Sequence, residues 1–191
     1  MDVLTLLRND HRMVAEMLAQ VEKAEPDDER VRELAEQIEQ ALTVHAAIEE
    51  KFFYPVLRER AEESEERVDV YEAYTEHAVV KDLIALLRSG RKQDEQFKAE
   101  LQVLGENVKH HVKEEESTIF SLAEELLERD ELEQLGEEME GAKERMMRRR
   151  SASASSNGRR KTGTKKATAS RNGSGRKKTG RKTAAAGRKR R

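Results

Sequence analysis

The stretch "ENVKHHVKEEESTIF", residues 106–120, decides the fold because it places charged residues inside an apolar helical stripe. Apolar residues recur in it at intervals of three and four, the period of an amphipathic helix. His111 and Glu115 are four residues apart, so they project from the same face as Val108 and Ile119. A helix with this pattern buries an imidazole and a carboxylate. Because an ionised carboxylate is very costly to bury alone, the pattern predicts a paired polar cluster or a metal site.

An internal repeat duplicates this pattern. In each half of the repeat two histidines are 34 residues apart, and a glutamate follows the second histidine by four residues. A shift of 66 residues superposes the two halves. The superposed pairs are His11 with His77, His45 with His111, Glu49 with Glu115, Asp10 with Glu76 and Tyr54 with Phe120. Two helical hairpins related in this way are expected to pack about an approximate two-fold axis, so that their polar core residues converge.

The first two helices are predicted from their apolar stripes, which lie within residues 4–21 and 34–52. Pro26 and Asp27 supply a start signal for the second helix. This helix is expected to bend or end near Pro55, because proline lacks the amide donor and clashes with the preceding turn.

Three further helices are predicted, and no segment is predicted as a strand. The third helix spans about residues 67–89 with Gly90 as its C-terminal cap, and the fourth spans about residues 94–129. The sequence "DELE" at residues 130–133 resembles a capping box and would open a fifth helix to about Arg150. The predicted fold class is all-α: an up-down-up-down four-helix bundle with an extra C-terminal helix and a disordered basic tail.

The net charge of −2 conceals two segments of opposite charge. Residues 148–191 contain 18 of the 37 lysines and arginines and none of the 39 acidic residues. The remaining 19 basic residues share residues 1–147 with all 39 acidic ones, so a charge of about −20 precedes a charge of about +18. The predicted division is 1–129 for the bundle, 130–150 for the charged helix and 151–191 for the tail.

The composition excludes several classes of protein. The chain contains no cysteine, which excludes a disulfide framework, thiolate metal ligands and a cysteine nucleophile. The N-terminal residues lack the basic region and apolar run of a signal peptide, and no stretch has the apolar length needed to span a bilayer. We therefore expect a bacterial cytoplasmic protein, associated with the nucleoid if its tail binds DNA.

The donor types on the core stripes favour a metal site. A lone core histidine is more commonly a hydrogen-bonded structural residue. Four stripe histidines in a duplicated pattern with two matched glutamates favour metal binding instead, and imidazole with carboxylate suits iron, manganese or zinc. Because the glutamates are able to bridge, these six donors are enough for two metal ions.

The sequence resembles the hemerythrin-like family of HHE cation-binding domains over about residues 1–127. The resemblance rests on "NDH" at 9–11, "HAAIEEKFFYP" at 45–55, "TEH" at 75–77 and "HVKEEESTIF" at 111–120. It implies a site of two iron ions bridged by the two glutamates and by an oxo or hydroxo group. The implied ligands are His11, His45, Glu49, His77, His111 and Glu115.

Two positions depart from the family pattern. Oxygen-carrying hemerythrins use five histidines with a close pair on the third helix, but Ala73 and Lys81 stand four residues either side of His77. Ser121 stands where the repeat matches Pro55. The resemblance therefore implies binding of or reaction with O2, peroxide or NO, in redox stress or in sensing, rather than reversible oxygen carriage. Catalase-like turnover is one form that such a reaction would take.

Further residues lie beside the implied ligands. A metal-bound imidazole often donates its second ring proton to a carboxylate, which is one interpretation of the neighbouring acidic residues; a solvated acidic face is the other. These residues are Asp10, Glu50, Glu76 and Glu116. Tyr54 is expected to pack beneath the site, with a redox or gating role as the alternative. His110 lies about 100° round the helix from the stripe and is expected at the rim.

The tail has almost no apolar side chains beyond alanine, so it is predicted to be disordered. It resembles the Lys/Arg-Ala-Thr-rich tails of linker histones and actinobacterial nucleoid proteins. Because it lacks aromatic side chains for base stacking, DNA or RNA binding would be non-specific and driven by counterion release. The residues predicted to contact nucleic acid are Arg159, Arg160, Lys161, Lys165, Lys166, Arg176, Lys177, Lys178, Arg181, Lys182, Arg188, Lys189, Arg190 and Arg191.

Other interpretations of the tail stay open. It would fold back on the acidic bundle if screening permits, or stay solvated, or meet an anionic membrane. The sequence thus supports two functional hypotheses of different classes. One is a di-iron protein for small oxidants, tethered to nucleic acid by its tail. The alternative is a nucleoid-associated DNA-binding protein whose bundle is a metal-binding scaffold or sensor.

Overall fold

Helices form every regular element in the described part of the chain. The computed structural model describes residues 1–25, 28–88 and 93–162, with backbone only at residues 151 and 153–162. The elements are α1 (Val3–Lys23), α2 (Glu29–Ile48), a first π-helical segment (Glu49–Phe53), α3 (Tyr54–Arg60), α4 (Ser64–Leu87), α5 (Glu95–Glu114), a second π-helical segment (Glu115–Ile119), α6 (Phe120–Leu126) and α7 (Arg129–Thr162). No strand occurs within the described ranges, which confirms the predicted all-α class. Within the same ranges no helix has the length and apolar character needed to cross a membrane.

Two helical hairpins form the bundle. Helix α1 packs against α2, and α4 packs against α5. Contacts between α1 and α5, between α2 and α4, and between α3 and α6 join the two hairpins. This is the predicted up-down-up-down bundle, and α7 is the predicted extra C-terminal helix.

Acidic side chains begin the long helices. Asp2, Asp28 and Asp94 each accept a hydrogen bond from a backbone amide in the first turn of α1, α2 and α5. Helix α4 begins at Ser64, three residues before its predicted start, because Glu63 and Glu66 cap each other's backbone amides. The predicted signals at residues 26, 27 and 90 lie outside the described residues.

The helix boundaries after the bundle differ from the prediction. Helix α6 ends at Leu126, and Leu127 is extended with φ −121° and ψ 136°. Helix α7 starts one residue before the predicted "DELE" box, and the Glu131 carboxylate accepts a hydrogen bond from the Glu128 amide at 3.0 Å. It continues to Thr162 rather than Arg150. Residues 1–152 form one compact unit, and residues 163–191 of the predicted tail lie outside the description.

A π-helical segment interrupts each hairpin at the buried glutamate. The Tyr54 amide donates to the Glu49 carbonyl five residues back, and the Phe120 amide donates to the Glu115 carbonyl in the same way. The predicted break near Pro55 therefore takes the form of a change in hydrogen-bonding pattern. Proline is not its cause, since the second segment is followed by serine at the matching position. Such single-turn π segments occur frequently at functional sites.

Two apolar clusters fill the bundle with a polar layer between them. The first cluster contains side chains of α3, α6 and α7; the second contains side chains of α2 and α5 and of the C-terminal halves of α1 and α4. Along α1, Leu7 belongs to the first cluster and Val14 to the second, with His11 between them. The candidate ligands thus lie in the middle of the hydrophobic core.

Helix α7 covers the first cluster. Its residues Leu135, Met139 and Ala142 are buried there. A Cβ atom at Gly136 would lie 2.2 Å from the Met1 carbonyl oxygen, well inside van der Waals contact. Only glycine therefore allows α7 to pack this closely against the start of α1.

Candidate metal centre

The six predicted ligand side chains meet in the polar layer, and each is at most 5% exposed. They come from four helices: His11 from α1, His45 and Glu49 from the end of α2, His77 from α4, and His111 and Glu115 from the end of α5. The His–Glu spacing of four residues keeps each of these pairs on the core face of its helix.

The histidines form two pairs, one in each hairpin. The Nε2 atoms of His11 and His45 are 3.2 Å apart, and those of His77 and His111 are 3.1 Å apart. The 66-residue shift of the repeat matches one pair to the other. Each pair therefore directs two nitrogen atoms towards one point.

Each glutamate lies between the two histidine pairs. Glu49 Oε2 is 3.2 Å from Nε2 of His45 on its own helix and 3.3 Å from Nε2 of His77 on the other hairpin. Glu115 Oε2 is 3.2 Å from the Nε2 atom of the α1 histidine and 3.7 Å from that of its own helix. Each carboxylate thus reaches one histidine of each hairpin, which is the placement that a bridging ligand needs.

The second ring nitrogen of every pair member faces an outer carboxylate. His11 Nδ1 lies 2.8 Å from Glu116, His45 Nδ1 lies 3.6 Å from Asp10, His77 Nδ1 lies 3.0 Å from Glu50, and His111 Nδ1 lies 2.8 Å from Glu76. The structure therefore places all four predicted acidic neighbours against the imidazoles. A proton held on Nδ1 leaves the Nε2 lone pair directed at the centre of the layer, which is the form that binds a metal.

His110 lies at the rim, as the helical offset predicts. Its side chain is 64% exposed, and its Nε2 atom is 3.3 Å from the Glu76 carboxylate. It therefore contacts an outer carboxylate and does not enter the polar layer.

Two lysines that the sequence pattern did not predict as part of the site extend the network outwards. Lys81 lies 2.5 Å from Glu50, and Lys143 of α7 forms an ion pair with Asp10. The hydrogen bond with His77, and then Lys81, hold the pKa of Glu50 below its ordinary value. Lys81 follows His77 by one helical turn, so this spacing could have predicted its place beside the site. No sequence pattern predicts the contact between Lys143 on α7 and Asp10 on α1.

The pKa of Asp10 is also low, although burial acts to raise it. Burial is the largest single influence on this carboxyl group. The interactions with His45 and Lys143 together outweigh it and hold the pKa of Asp10 below its ordinary value. Both outer carboxylates are therefore ionised near neutral pH.

Tyr54 breaks the two-fold symmetry of the layer. It is fully buried, and its hydroxyl donates a hydrogen bond to Glu115 Oε1 at 2.7 Å. Its counterpart Phe120 stacks on the His11 ring at 5.9 Å and has no hydroxyl to donate. Burial and the negative charge of Glu115 raise the pKa of Tyr54 well above its ordinary value, so the phenol stays protonated.

Neither oxygen of Glu49 accepts a hydrogen bond from a described residue.

Burial perturbs the acid–base groups of the layer. It raises the pKa of Glu49 well above the ordinary value, and the charge of Glu115 raises it further. Burial also acts to raise the pKa of Glu115, but the close contact with His11 Nε2 and the charge of His111 outweigh it and hold this pKa well below its usual range.

The pKa values of the two histidines of the first pair shift in opposite directions. Burial acts to lower the pKa of His11, but Glu115 outweighs it and raises the pKa to about 9. Burial lowers the pKa of His45 to about 4. The protein groups therefore supply too little positive charge to keep both glutamates ionised, and a bound cation would supply it.

The donor geometry fits metal ions. Two nitrogens bound to one metal at about 2.0–2.1 Å are about 2.9 Å apart at a right angle and about 3.4 Å apart at a tetrahedral angle. The observed separations of 3.2 and 3.1 Å lie within this window. One donor atom from each of His11, His45, Glu49 and Glu115 lies within 4.8 Å of the others, and the same holds for Glu49, His77 and His111. The layer therefore offers two donor sets that share Glu49.

Comparisons with known proteins agree with this geometry. The sequence model of the "Hemerythrin HHE cation binding domain" family matches residues 2–123. A crystal structure of a hemerythrin HHE cation-binding domain-containing protein from Mycobacterium kansasii superposes with a TM-score of 0.67 at 22% identity, over 76% of this chain and 87% of that one. A "DNA nickase" of Nostoc sp. is 28% identical over 158 residues, which are 83% of this chain. The chain covers only 44% of the length of that relative.

Proposed function

Since the chain belongs to the hemerythrin HHE cation-binding domain family, we propose that its metal site holds two iron ions that bind or react with O2, peroxide or NO. The observation that supports the proposal is the pair of buried donor sets that share Glu49. When bound, iron supplies a Lewis acid and a redox couple. Imidazole and carboxylate suit manganese and zinc as well, so metal analysis is part of the test.

The two donor sets differ in a way that suits a reactive site. The set on the first histidine pair has four closely grouped protein donors, and the set on the second pair has three, with Glu115 Oε2 farther from the second pair, at 3.7 Å from His111 Nε2. Ala73, one turn before His77, adds no further donor. Catalytic metal sites commonly keep a position that protein ligands do not fill. We therefore assign the binding of the small ligand to the second histidine pair.

The surrounding residues fix and protect this position. Hydrogen bonds with outer carboxylates hold His11, His77 and His111 in the tautomer that exposes Nε2, and the two apolar clusters exclude bulk water from both sides. Tyr54 lies 3.4 Å from His77 Nε2 and donates its hydrogen bond to Glu115 Oε1, so its hydroxyl fixes that carboxylate beside the three-donor set.

The decisive test is the metal content and reactivity of the purified full chain. We expect two iron ions per chain after growth with iron and a visible absorption change on addition of peroxide. His45→Ala and Glu115→Ala should each lower the bound metal, because each removes a donor of the four-donor set. His110→Ala is the matched control, since this exposed histidine lies outside the layer. Wild-type protein with less than one metal ion per chain would refute the proposal.

Non-specific nucleic-acid binding by the C-terminal segment is a second candidate function. It is favoured by the 18 basic and no acidic residues of the segment 148–191. The printed name of the Nostoc relative, a DNA nickase, also directs attention to nucleic acid. The test compares the full chain with a chain that ends at Ala152, the last residue of the compact unit. We expect the full chain to bind DNA with an affinity that falls steeply with salt. Equal affinity of the two proteins would exclude the segment as the binding element.

A further inference from the structure

A small acidic cavity opens beside the second histidine pair. It has a volume of about 70 Å³, enough for a few water molecules, and lies between α4 and the second π-helical segment. Four of its lining residues, here called the acidic mouth, are carboxylates: Asp69, Glu72, Glu76 and Glu114. The described residues that line it include no lysine or arginine, although Lys113 lies 3.5 Å from Glu114 at its edge.

The inner wall of this cavity is a candidate metal ligand. Glu115 lines the cavity although it is only 1% exposed. Its Oε2 atom accepts no hydrogen bond from a described residue and lies 3.2 Å from His11 Nε2. The cavity therefore connects acidic side chains near the surface with a buried carboxylate that still has an unfilled acceptor position.

The internal repeat supplies a built-in comparison for this feature. The positions that the 66-residue shift matches to Asp69, Glu72, Ala73, Glu114 and Thr118 are Val3, Leu6, Leu7, Ile48 and Phe52. These apolar counterparts belong to or pack against the first apolar cluster, which α7 covers. One half of the repeat is therefore closed by packed side chains, and the other half carries charge and a cavity at the same place.

We propose that the acidic mouth is the passage by which a divalent metal ion reaches the buried layer. The inference rests on the proposed metal-binding function and adds the route. A cleft lined by one sign of charge raises the local concentration of the opposite ion and speeds its association. Hydrated Fe²⁺ would exchange water for the mouth carboxylates and then for Glu115, while on the other side the only matching carboxylate among these positions is Asp10, which is paired with Lys143.

The test measures how fast metal-free full-length protein takes up Fe²⁺ without oxygen, with free Fe²⁺ trapped by a chromogenic chelator. The mouth variant is Asp69→Asn with Glu72→Gln; Glu76 is left intact because it holds His111. The control variant, Glu16→Gln with Glu36→Gln, removes the same charge from exposed positions of α1 and α2. We expect the mouth variant to load about three- to tenfold more slowly at low salt, with the difference shrinking as salt screens the charges. The final metal content should stay unchanged.

A second variant blocks the passage without altering charge. Thr118→Phe introduces the side chain found at the matching position 52 of the closed half, and Thr118→Ser is its control. Because its effect is steric, we expect slower loading at every salt concentration. Wild-type rates in both mouth variants, with normal loading of the wild type, would overturn the route alone. A mouth variant that binds less metal at equilibrium would also overturn it, because its carboxylates would then be ligands. Failure of the wild type to bind Fe²⁺ would refute the proposed function itself.

Discussion

Gly136→Ala is predicted to destabilise the protein although alanine favours helix. On helix propensity alone, a glycine-to-alanine change inside a helix stabilises by about 0.8–1.0 kcal/mol. At Gly136 the added Cβ would lie 2.2 Å from the Met1 carbonyl oxygen and 2.8 Å from the Val3 amide nitrogen. Both neighbours are backbone atoms, so a side-chain rotation cannot relieve the clash.

The expected loss of stability depends on which atoms must move to make room for the added methyl group. Forcing extra atoms into a packed interface typically costs about 1–3 kcal/mol. If α7 lifts to make room, Leu135 and Met139 lose burial worth about 1.5–3 kcal/mol for each fully buried side chain. After the propensity gain is subtracted, the packing cost alone leaves a loss of up to about 2 kcal/mol, and lifting of α7 leaves about 2–5 kcal/mol. We therefore expect a net loss of about 1–3 kcal/mol, or about 2–12 °C in Tm for a chain of this size.

The assay is urea unfolding of the metal-loaded full chain, followed by circular dichroism. Gly141→Ala is the matched control on the same helix, because its Cβ would meet only the flexible Arg145 guanidinium at 3.2 Å. We expect the control to raise the free energy of unfolding by up to about 1 kcal/mol. Stabilisation by both substitutions would refute the close packing of α7 on the start of α1.

Three further predictions concern the metal site. Tyr54→Phe removes the donor to Glu115 and should lower the unfolding free energy of the metal-free protein by about 1.5–3 kcal/mol, whereas an unchanged urea midpoint would contradict the hydrogen bond. Glu116→Gln should weaken metal affinity about 10- to 100-fold in a chelator competition, because the Glu116 carboxylate orients His11. The control Glu106→Gln, on the exposed face of α5, should leave the metal affinity unchanged. Lys143→Met should weaken metal affinity less than Glu116→Gln does, since Lys143 acts on His45 only through Asp10. A loss of metal affinity as large as that of Glu116→Gln would contradict this prediction.

The bundle and the meeting of the ligands were predictable because both follow from periodicity. Apolar spacing of three and four places the stripes, and the shift of 66 residues requires the two hairpins to be alike. The four outer carboxylates followed too, since each is next in sequence to an implied ligand. These features depend only on local sequence patterns and on the 66-residue repeat.

The π-helical segments and the role of α7 were not predictable, for a physical reason. A change from α- to π-type hydrogen bonding leaves no compositional mark, and Pro55 suggested a cause that the second segment lacks. Gly136 looks like a helix-weakening residue until its neighbour, the backbone of Met1, is known. Tyr54 was expected to pack beneath the site, with a redox or gating role as the alternative. Its hydrogen bond to Glu115 was not predicted, because it joins residues 61 positions apart.

The polar layer that separates the two apolar clusters makes the stability of the folded protein depend on the supply of metal. A metal ion at a hundred times its dissociation constant stabilises the folded state by about 2.7 kcal/mol, a large share of the usual 5–15 kcal/mol. A chain that lacks metal retains buried carboxylates with insufficient positive charge, so it unfolds more often and is exposed to proteases. We therefore expect the cellular half-life of the protein to lengthen as the metal becomes abundant, which makes its own concentration a record of metal supply.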